Sequence, residues 1–365
     1  MSVSIGGTAG VTFNDASVQN TAATGFGFKS RIINGAMVID QRNAGASVSV
    51  QTTTGYALDR WRVYASQNSK YSVQQSTTVP SGFKNSLLVT SSSAYTVGAG
   101  ETFAVAQYIE GFNTSDLGWG ASGAASVTLS FWVRSSLTGT FGGSLTNNGY
   151  TRSYPFTYAI SAANTWEQKT LTIAGDTTGT WTTDSTAGIR AWFGLGVGST
   201  YSGTAGSWAA AEYESATGAT SVVATSGATF YITGVQLEKG STATSFDYRP
   251  YGTELVLCQR YLPFIAGGGS IFIGQCFSST NTVIAIPYKV TPRVAPTGVT
   301  VTNATSSSVY SASGSGITVA TTTYVTAGLD SAFLTVTVAS GLVSGNATGY
   351  IMGGPTNIAF TGCEL

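Results

Sequence analysis

Stretches in which large apolar side chains alternate with small or polar ones recur along the chain. In residues 127–133, valine, leucine, phenylalanine and valine occupy every second position, which is the pattern of a β-strand with one buried face. Residues 166–173, 189–197 and 230–237 are further predicted strands, separated by turn-forming glycine, serine, threonine and asparagine. This spacing predicts a two-sheet sandwich of the jelly-roll kind over residues 31–251.

One stretch favours a helix instead. Thr253 is a suitable N-cap, Glu254 favours the first turn and Pro263 ends the pattern. We call residues 252–263 the junction helix. A helix this short is marginal in water, so its apolar face must meet either the preceding sandwich or sister chains around a symmetry axis. We predict an oligomer interface on that face, formed by Leu255, Cys258, Tyr261 and Leu262.

The two ends of the chain complete an all-β prediction. Residues 264–365 return to short strands broken by glycine and proline, and they predict a small C-terminal β-sandwich. Residues 1–30 hold two or three very short strands that cannot bury a core alone. They are either a frayed terminus or a segment that orders when it attaches to a larger assembly. The apolar side chains available for that attachment are Val11, Phe13 and Val18.

Composition supports this fold class and excludes several functions. Charged residues make up 9% of the chain, glycine numbers 46, and stretches of strong helix formers are absent. The 16 basic and 16 acidic residues cancel, and without a basic stripe we expect no nucleic-acid partner. The chain has no histidine, which excludes serine and cysteine triads that need one, and histidine-containing zinc sites. No phosphate-loop, dinucleotide or EF-hand motif is present, so no cofactor or metal is predicted.

The cysteines and the N-terminal region bear on cellular context. Cys258, Cys276 and Cys363 are odd in number and form no C-x-x-C pair, so we predict buried thiols in a protein made in a reducing cytoplasm. The first positive charge is Lys29, and no signal peptide is predicted. No apolar run reaches the length of about 18 residues needed for a membrane span, so membrane insertion is not expected.

Two stretches are more specific than composition. Residues 28–43 read FKSRIINGAMVIDQRN and are followed by Asp59-Arg60-Trp61. Residues 231–240 read YITGVQLEKG and are followed by FDYR at 246–249 and CQRY at 258–261. Together they resemble the sandwich module that recurs in tail fibres and related structural proteins of tailed bacteriophages, over roughly residues 28–262.

The resemblance carries several implications. It implies a jelly roll similar to carbohydrate-binding modules, carried on a homotrimeric fibre of the virion. The N-terminal segment would then attach to other virion proteins of the tail, baseplate or capsid, and the expected external ligand is a host-surface glycan. A capsid decoration or head-fibre protein with purely structural contacts is the main alternative.

Tryptophans in loops are the strongest candidates for a sugar site, because sugars are held by aromatic faces and a few polar groups. The alternative is that these rings plug the sandwich ends or a subunit interface. By contrast Trp132, Trp166 and Trp192 fall in predicted strands and are expected in the core. The candidate carbohydrate-binding residues are Trp119, Asp116, Trp181, Tyr201 and Trp208.

A glycan-cleaving fibre would need two carboxylates about 5 to 10 Å apart. Glu212 and Glu214 would share a strand face if Tyr213 lies in a strand, but their spacing is commonplace, and we expect binding without catalysis. The acidic residues considered are Glu101, Glu110, Asp116, Asp176, Asp184, Glu212 and Glu214.

Much of the scarce charge flanks predicted strand ends. This clustering predicts ion pairs that fasten the sandwich edges and its junction to the helix, the alternative being ordinary solvated charges. The residues concerned are Arg31, Arg42, Arg60, Glu238, Asp247 and Arg249.

Overall fold

The computed structural model describes residues 4–6, 10–12, 18–19, 28–311 and 314–365. The first three segments form a small antiparallel sheet of β1 (Ser4–Gly6), β2 (Gly10–Thr12) and β3 (Val18–Gln19). The attachment role predicted for Val11, Phe13 and Val18 falls outside the residues whose side chains are described, and it stays a prediction. The predicted all-β fold class is confirmed.

Residues 48–239 form a sandwich of two six-stranded antiparallel sheets. The first sheet has the order β13-β10-β17-β8-β7-β4, and the second β12-β11-β14-β9-β6-β5. The chain crosses repeatedly from one sheet to the other, as in a jelly roll. The twelve strands are β4 (Val48–Ser49), β5 (Tyr56–Leu58), β6 (Trp61–Ala65), β7 (Tyr71–Ser76), β8 (Ser86–Ser91), β9 (Thr102–Glu110), β10 (Val127–Ser135), β11 (Gly139–Thr146), β12 (Ser153–Ile160), β13 (Glu167–Ile173), β14 (Ala187–Val197) and β17 (Thr229–Lys239). Two short strands in the loop after β14, β15 (Ser202–Gly203) and β16 (Ser215–Ala216), pair in parallel with each other.

Alternation along the strands fills the space between the sheets. Phe131 of the first sheet and Phe193 of the second are fully buried, and their ring centroids lie 5.2 Å apart. Trp192, the neighbour of Phe193, is fully buried as predicted, but in a separate cluster with Tyr108 on the other face of the second sheet. The core prediction was wrong for Trp132 and Trp166, which are only half-buried. Trp132 alternates with Phe131 and therefore points to the outer face, and Trp166 lies just before β13.

The junction helix is α1 (Tyr251–Gln259), preceded by Pro250 rather than capped by Thr253. Its apolar side packs against Ile33 and Ile39 of the segment that precedes the sandwich in the same chain. This corrects the predicted oligomer interface, because Cys258, Tyr261 and Leu262 are each 1% exposed and Leu255 is half-buried in the same chain. The apolar helix side chains are already packed within one subunit. The homotrimer therefore stays a prediction, and this helix face is not its interface.

The C-terminal region forms a closed barrel rather than the expected sandwich of two open sheets. Strands β19-β20-β24-β23-β22-β25 form a closed barrel, beside a three-stranded sheet β18-β26-β21. Register shifts between Val319 and Thr321 and between Tyr324 and Thr326 mark β-bulges, which bend β23 and allow the ring to close. The strands are β18 (Phe264–Ala266), β19 (Ile271–Cys276), β20 (Asn281–Pro287), β21 (Gly298–Thr302), β22 (Ser308–Tyr310), β23 (Gly316–Ala327), β24 (Ser331–Val338), β25 (Ala347–Ile351) and β26 (Asn357–Thr361).

The predicted fastening charges are confirmed in part. Ion pairs join Arg31 to Asp116 at 2.8 Å, Arg42 to Glu364 at 2.5 Å and Arg249 to Glu254 at 3.3 Å, while Arg249 reaches Asp247 only at 4.0 Å. The prediction was wrong for two members of the set. Arg60 instead lies 3.5 Å over the ring of Tyr261, and Glu238 accepts hydrogen bonds from Thr244.

A further ion pair ties the helix end to the sandwich. Arg260 donates to both carboxylate oxygens of Glu110, at 2.6 and 3.0 Å, and the Tyr261 hydroxyl donates to the same carboxylate at 2.7 Å. Glu110 is 1% exposed. This buried contact therefore fixes how the helix, and the barrel that follows it, sit on β9.

All three cysteines are buried free thiols, in agreement with the sequence. Among the described residues no helix is long and apolar enough to cross a membrane.

Candidate functional site

Three loop tryptophans from distant parts of the sequence meet at one end of the sandwich. Ring centroids lie 4.6 Å apart for Trp119 and Trp181, 5.2 Å for Trp119 and Trp208, and 5.4 Å for Trp181 and Trp208. Each pair is close to perpendicular, with interplanar angles of 75° to 81°. Edge-to-face contact of this kind is the favoured geometry for aromatic rings. We call these three residues the tryptophan cluster.

Each indole N–H of the cluster donates to a main-chain carbonyl. Trp119 donates to Ala125 at 2.7 Å, and Trp208 to Ala174 at 2.8 Å. Trp181 donates to the carbonyl of Thr178 at 3.2 Å. The rings pack on the main core yet are only half-buried. They therefore close this end of the sandwich, as the alternative interpretation expected, and also present apolar ring surface to solvent.

Asp176 holds two of the loops together. Its carboxylate accepts two hydrogen bonds from Arg152, at 2.7 and 2.8 Å, and its carbonyl accepts from the Gly120 N–H at 2.8 Å. Gly120 has a φ of 90°, and a Cβ there would lie 2.7 Å from the carbonyl oxygen of Gly179, so a side chain would push the loops apart. Desolvation raises the pKa of Asp176, but the hydrogen bonds and charge of Arg152 outweigh it and hold the pKa below its usual value.

A cleft of about 160 Å³ opens between the rings of Trp119 and Trp181 and the neighbouring loops. We call it the tryptophan cleft. Leu117 and Ile189 contribute apolar surface, and no charged side chain lines it. The hydroxyl-bearing and small residues that complete its lining are Thr114, Ser115, Gly118, Ala121, Thr182 and Thr183.

The hydroxyls at the cleft retain hydrogen-bonding capacity. Thr114 and Ser115 donate to the carbonyls of Gly111 and Phe112, at 3.1 and 3.3 Å. A hydroxyl oxygen that donates its proton still has two lone pairs with which to accept. The tryptophan cleft thus combines aromatic faces with acceptors and contains no formal charge. This arrangement suits a neutral polyhydroxylated ligand.

The structure divides the predicted carbohydrate-binding residues. It brings Trp119, Trp181 and Trp208 together, but only Trp119 and Trp181 line the cleft. Trp208 packs behind them, and Asp116 and Tyr201 lie outside the lining. Asp116 lies in a 3₁₀ turn and pairs with Arg31 and with Lys239, at 2.8 and 3.4 Å. Although desolvation opposes it, these cationic partners lower the pKa of Asp116. The threonines of the cleft had no distinguishing signal in a chain rich in threonine.

The acidic pair considered for catalysis does not have the assumed geometry. Tyr213 lies outside the strands, because β16 begins at Ser215. Glu214 is 7% exposed, and burial raises its pKa to about 7. Elsewhere Glu110 is paired with Arg260, and Glu101 accepts from Tyr95 and Gly98. No group of three or more acidic or cysteine side chains suited to a metal occurs in the part of the chain that the structure describes.

Comparisons with known proteins place the chain near no established family. No protein-family model and no curated protein matches its sequence. Among solved structures it is similar to the enzymatically active domain of tailspike protein 4 of bacteriophage CBA120, at 13% identity and a TM-score of 0.31. That match covers 52% of this chain and only 21% of the tailspike domain.

Two further similarities cover nearly all of the other chain. A putative sugar binding protein from Bacteroides thetaiotaomicron matches at 10% identity and a TM-score of 0.34, over 58% of this chain and 100% of that one. A xylan-binding domain from Paenibacillus barcinonensis matches at 13% identity and a TM-score of 0.27, over 55% and 99%. These values assign neither a family nor a function, which must be argued from the residues themselves.

Proposed function

We propose that this chain is a subunit of a bacteriophage tail fibre and binds a host-surface glycan in the tryptophan cleft. The observation that carries the binding role is the cluster of three half-buried tryptophans whose N–H groups are already bonded to the main chain. What the rings offer to a ligand is therefore their apolar surface. The C–H face of a sugar ring can pack on such a surface while its hydroxyls bond to Thr114 and Ser115.

The proposed fibre role rests on the resemblance of residues 28–43 and 231–261 to tail-fibre modules. In the structure, residues of the two stretches are hydrogen-bonded to each other. Asn34 is fully buried at a φ of 58°, its side chain bonds to Ile39 and to the carbonyl of Asp59, and its N–H donates to Glu254 of α1. The distinctive residues therefore build the junction between sandwich and helix.

Attachment through a fibre is multivalent. Three chains per fibre and several fibres per virion raise the effective concentration of each weak sugar contact, and firm adsorption follows without a strong single site. In this proposal residues 1–30 attach to other virion proteins, and the sandwich or the barrel faces the host. Light scattering on the purified chain tests the trimer: we expect three times the chain mass of 37.4 kDa, and a monomer would contradict it.

The direct test of glycan binding compares matched tryptophan variants. Trp181→Ala removes a ring that lines the cleft, whereas Trp166→Ala removes a half-buried ring that contacts Tyr231 on the first sheet. We expect adsorption of the labelled protein to host cells to fall at least tenfold with Trp181→Ala and to stay unchanged with Trp166→Ala. Equal adsorption of the two variants would contradict the site.

Location and catalysis need separate experiments. Antibody labelling of virions distinguishes a tail fibre from a capsid decoration or head fibre. We propose binding without cleavage, so incubation of the protein with purified host polysaccharide should release no sugar. Released oligosaccharide would instead identify a depolymerase.

A further inference from the structure

A second cleft lies on the outer face of the second sheet, where the sandwich meets the C-terminal region. Its volume is about 290 Å³, and we call it the arginine cleft. Arg62 comes from β6, Arg190 from β14 and Arg293 from the segment between β20 and β21. The rings of Tyr108 and Tyr150 form part of its wall.

The arginines of this cleft lack partners among the described acidic side chains. Across residues 28–311 and 314–365, five arginines have no carboxylate side chain within 4.0 Å. Three of them line the cleft, and a fourth, Arg60, donates to the carbonyl of Tyr108 behind it. In a chain with so few charges, this grouping of arginines without carboxylate side-chain partners distinguishes the cleft from the rest of the surface. The five are Arg60, Arg62, Arg134, Arg190 and Arg293.

Main-chain oxygens and aromatic rings hold the guanidinium groups in fixed positions. Arg190 is 8% exposed and donates to the carbonyls of Asn147 and Asn148 at 3.0 and 2.7 Å, and its Nε has no partner. The same guanidinium lies 3.9 Å from the ring centroid of Tyr150. Arg62 donates to the main-chain oxygen of Leu365 at 3.2 Å. Carbonyls and rings position Arg190 without neutralising it.

The guanidinium of Arg62 sits among tyrosines. It lies 4.9 Å from the ring centroid of Tyr64 and 5.3 Å from that of Tyr108. One carboxyl, that of Glu364, does line the cleft, but its oxygen is bound by Arg42 at 2.5 Å. Among the residues that the structure describes, no acidic side chain lies within 4.0 Å of Arg190 or Arg293, so their positive charge remains available to a ligand.

We infer that the arginine cleft is a subsite for the carboxylate of an acidic sugar. Arginine forks match the planar geometry of a carboxylate, and the tyrosine faces beside them suit the ring that carries it. An anion placed there would also relieve the cost of keeping several unpaired cations in a half-buried site. This inference rests on the proposed glycan-binding function and names the class of glycan as acidic.

The two clefts share one segment of chain, which supports a single extended ligand. Thr182, Thr183 and Ile189 line the tryptophan cleft, and Thr186 and Arg190 line the arginine cleft. A polysaccharide that follows this segment would place neutral residues against the tryptophans and an acidic residue against the arginines.

The test is thermal unfolding of the full chain with acidic monosaccharides and their neutral counterparts. The probes are galacturonate, glucuronate and N-acetylneuraminate, with galactose and glucose as uncharged controls and inorganic phosphate as a sugar-free anion. We expect at least one acidic sugar to raise the melting temperature where the neutral sugars do not, with apparent affinity at least tenfold above that of phosphate. If no acidic sugar acts, or if phosphate acts equally well, the inference is overturned.

Matched variants assign the effect to the cleft. Arg62→Gln should weaken the response to the acidic sugar at least tenfold, and Arg62→Lys should restore part of it, since the charge returns without the fork. Arg134→Gln is the control, because Arg134 is also unpaired and lies 4.9 Å over Tyr231 on the other sheet. An Arg62→Gln protein that melts normally and responds like wild type would contradict the inference. Loss of glycan binding in Trp181→Ala with an intact acid response would support both sites separately. Glycan binding that depends on Trp181 without any acid response would mean that only the arginine cleft has been misassigned. An acid response that depends on Arg62 without any effect of Trp181→Ala would mean that only the tryptophan cleft has been misassigned.

Discussion

The tryptophan cleft and the arginine cleft lie on either side of the same segment, residues 182–190, yet they are built differently. The first is formed by the sandwich alone and contains no charged side chain. The second contains three arginines and needs Arg293 and Leu365 from the C-terminal region. One β-scaffold can thus present a neutral aromatic surface and a cationic one a few residues apart.

Strand alternation produces this contrast. Ile189 and Arg190 are neighbours in β14, and their side chains leave the second sheet on opposite faces. Ile189 joins the core and the tryptophan cleft, whereas Arg190 joins Tyr108 and Tyr150 on the outer face. Substitutions that disturb the contact between the sandwich and the C-terminal region should therefore affect the tryptophan cleft less than the arginine cleft.

The largest expected effect comes from Arg260→Ala. It leaves the buried carboxylate of Glu110 without its cation, and losing one partner of such a pair costs about 3 kcal/mol or more. The Arg293 N–H donates to the main-chain carbonyl of residue 260 at 2.7 Å, and alanine keeps that carbonyl. The acid response of the arginine cleft should therefore weaken through displacement of the helix end, while the tryptophan cleft is retained. Calorimetry and sugar titration measure the two outcomes.

A double variant provides the control for that change. Glu110→Gln combined with Arg260→Ala removes both charges and keeps an acceptor for Tyr261, so we expect most of the stability to return. If the double variant is as unstable as Arg260→Ala, the loss comes from packing rather than from the unpaired carboxylate.

The second prediction concerns pH, because Glu214 lies within electrostatic range of Arg190. Burial raises its folded-state pKa to about 7 from the ordinary 4.5, so between those values the folded protein holds a proton that the unfolded chain releases. Stability should therefore fall as pH rises from about 4.5 to 7, by on the order of 3 kcal/mol. Glu214→Gln should flatten this part of the curve, leaving the similar contribution of Glu364, whose pKa burial also raises to about 7.

The third prediction targets the tryptophan side. Asp176→Ala removes the two hydrogen bonds by which Arg152, just before β12, anchors the loop that carries Trp181, at a cost of about 1 to 3 kcal/mol. Neutral-glycan binding should weaken several-fold, while the acid response of the arginine cleft stays unchanged. Equal weakening of both responses would mean that the two clefts are not independent.

The smallest expected effect is that of salt. Raising NaCl from 0.05 to 0.5 M shortens the Debye length to a few ångströms, so the affinity for an acidic sugar should drop a few-fold. Affinity in the uncharged tryptophan cleft should not change. Titration calorimetry at the two salt concentrations separates the responses, and a salt-sensitive neutral ligand would contradict the assignment.

Sequence patterns were sufficient for the main strands and for the loop position of three tryptophans, but not for the contacts that folding creates between distant residues. Alternation at 127–133 predicts β10, and loop position singles out Trp119 and Trp181. The burial of Cys258 and Tyr261 against Ile33 depends on contacts more than 200 residues apart, so an apolar helix face could not be assigned to a partner in advance.

The arginine cleft could not be predicted from the sequence, because it too depends on contacts between distant residues. Arg62, Arg190 and Arg293 come from three distant segments, and nothing in the local pattern shows that each lacks a carboxylate partner. The missed pair of Glu110 and Arg260 is separated by 150 positions. The small number of charged residues predicts that each one has a structural or binding role. Only the fold shows which of them are paired with each other.

Binding of the full chain to a glycan array, with Trp181→Ala and Trp166→Ala probed in parallel, tests the central claim most directly. We predict that wild type and Trp166→Ala bind the same set of glycans and that Trp181→Ala loses at least nine-tenths of that signal while melting as a folded protein. Binding by folded Trp181→Ala equal to that of wild type, or no bound glycan for wild type at all, would contradict it.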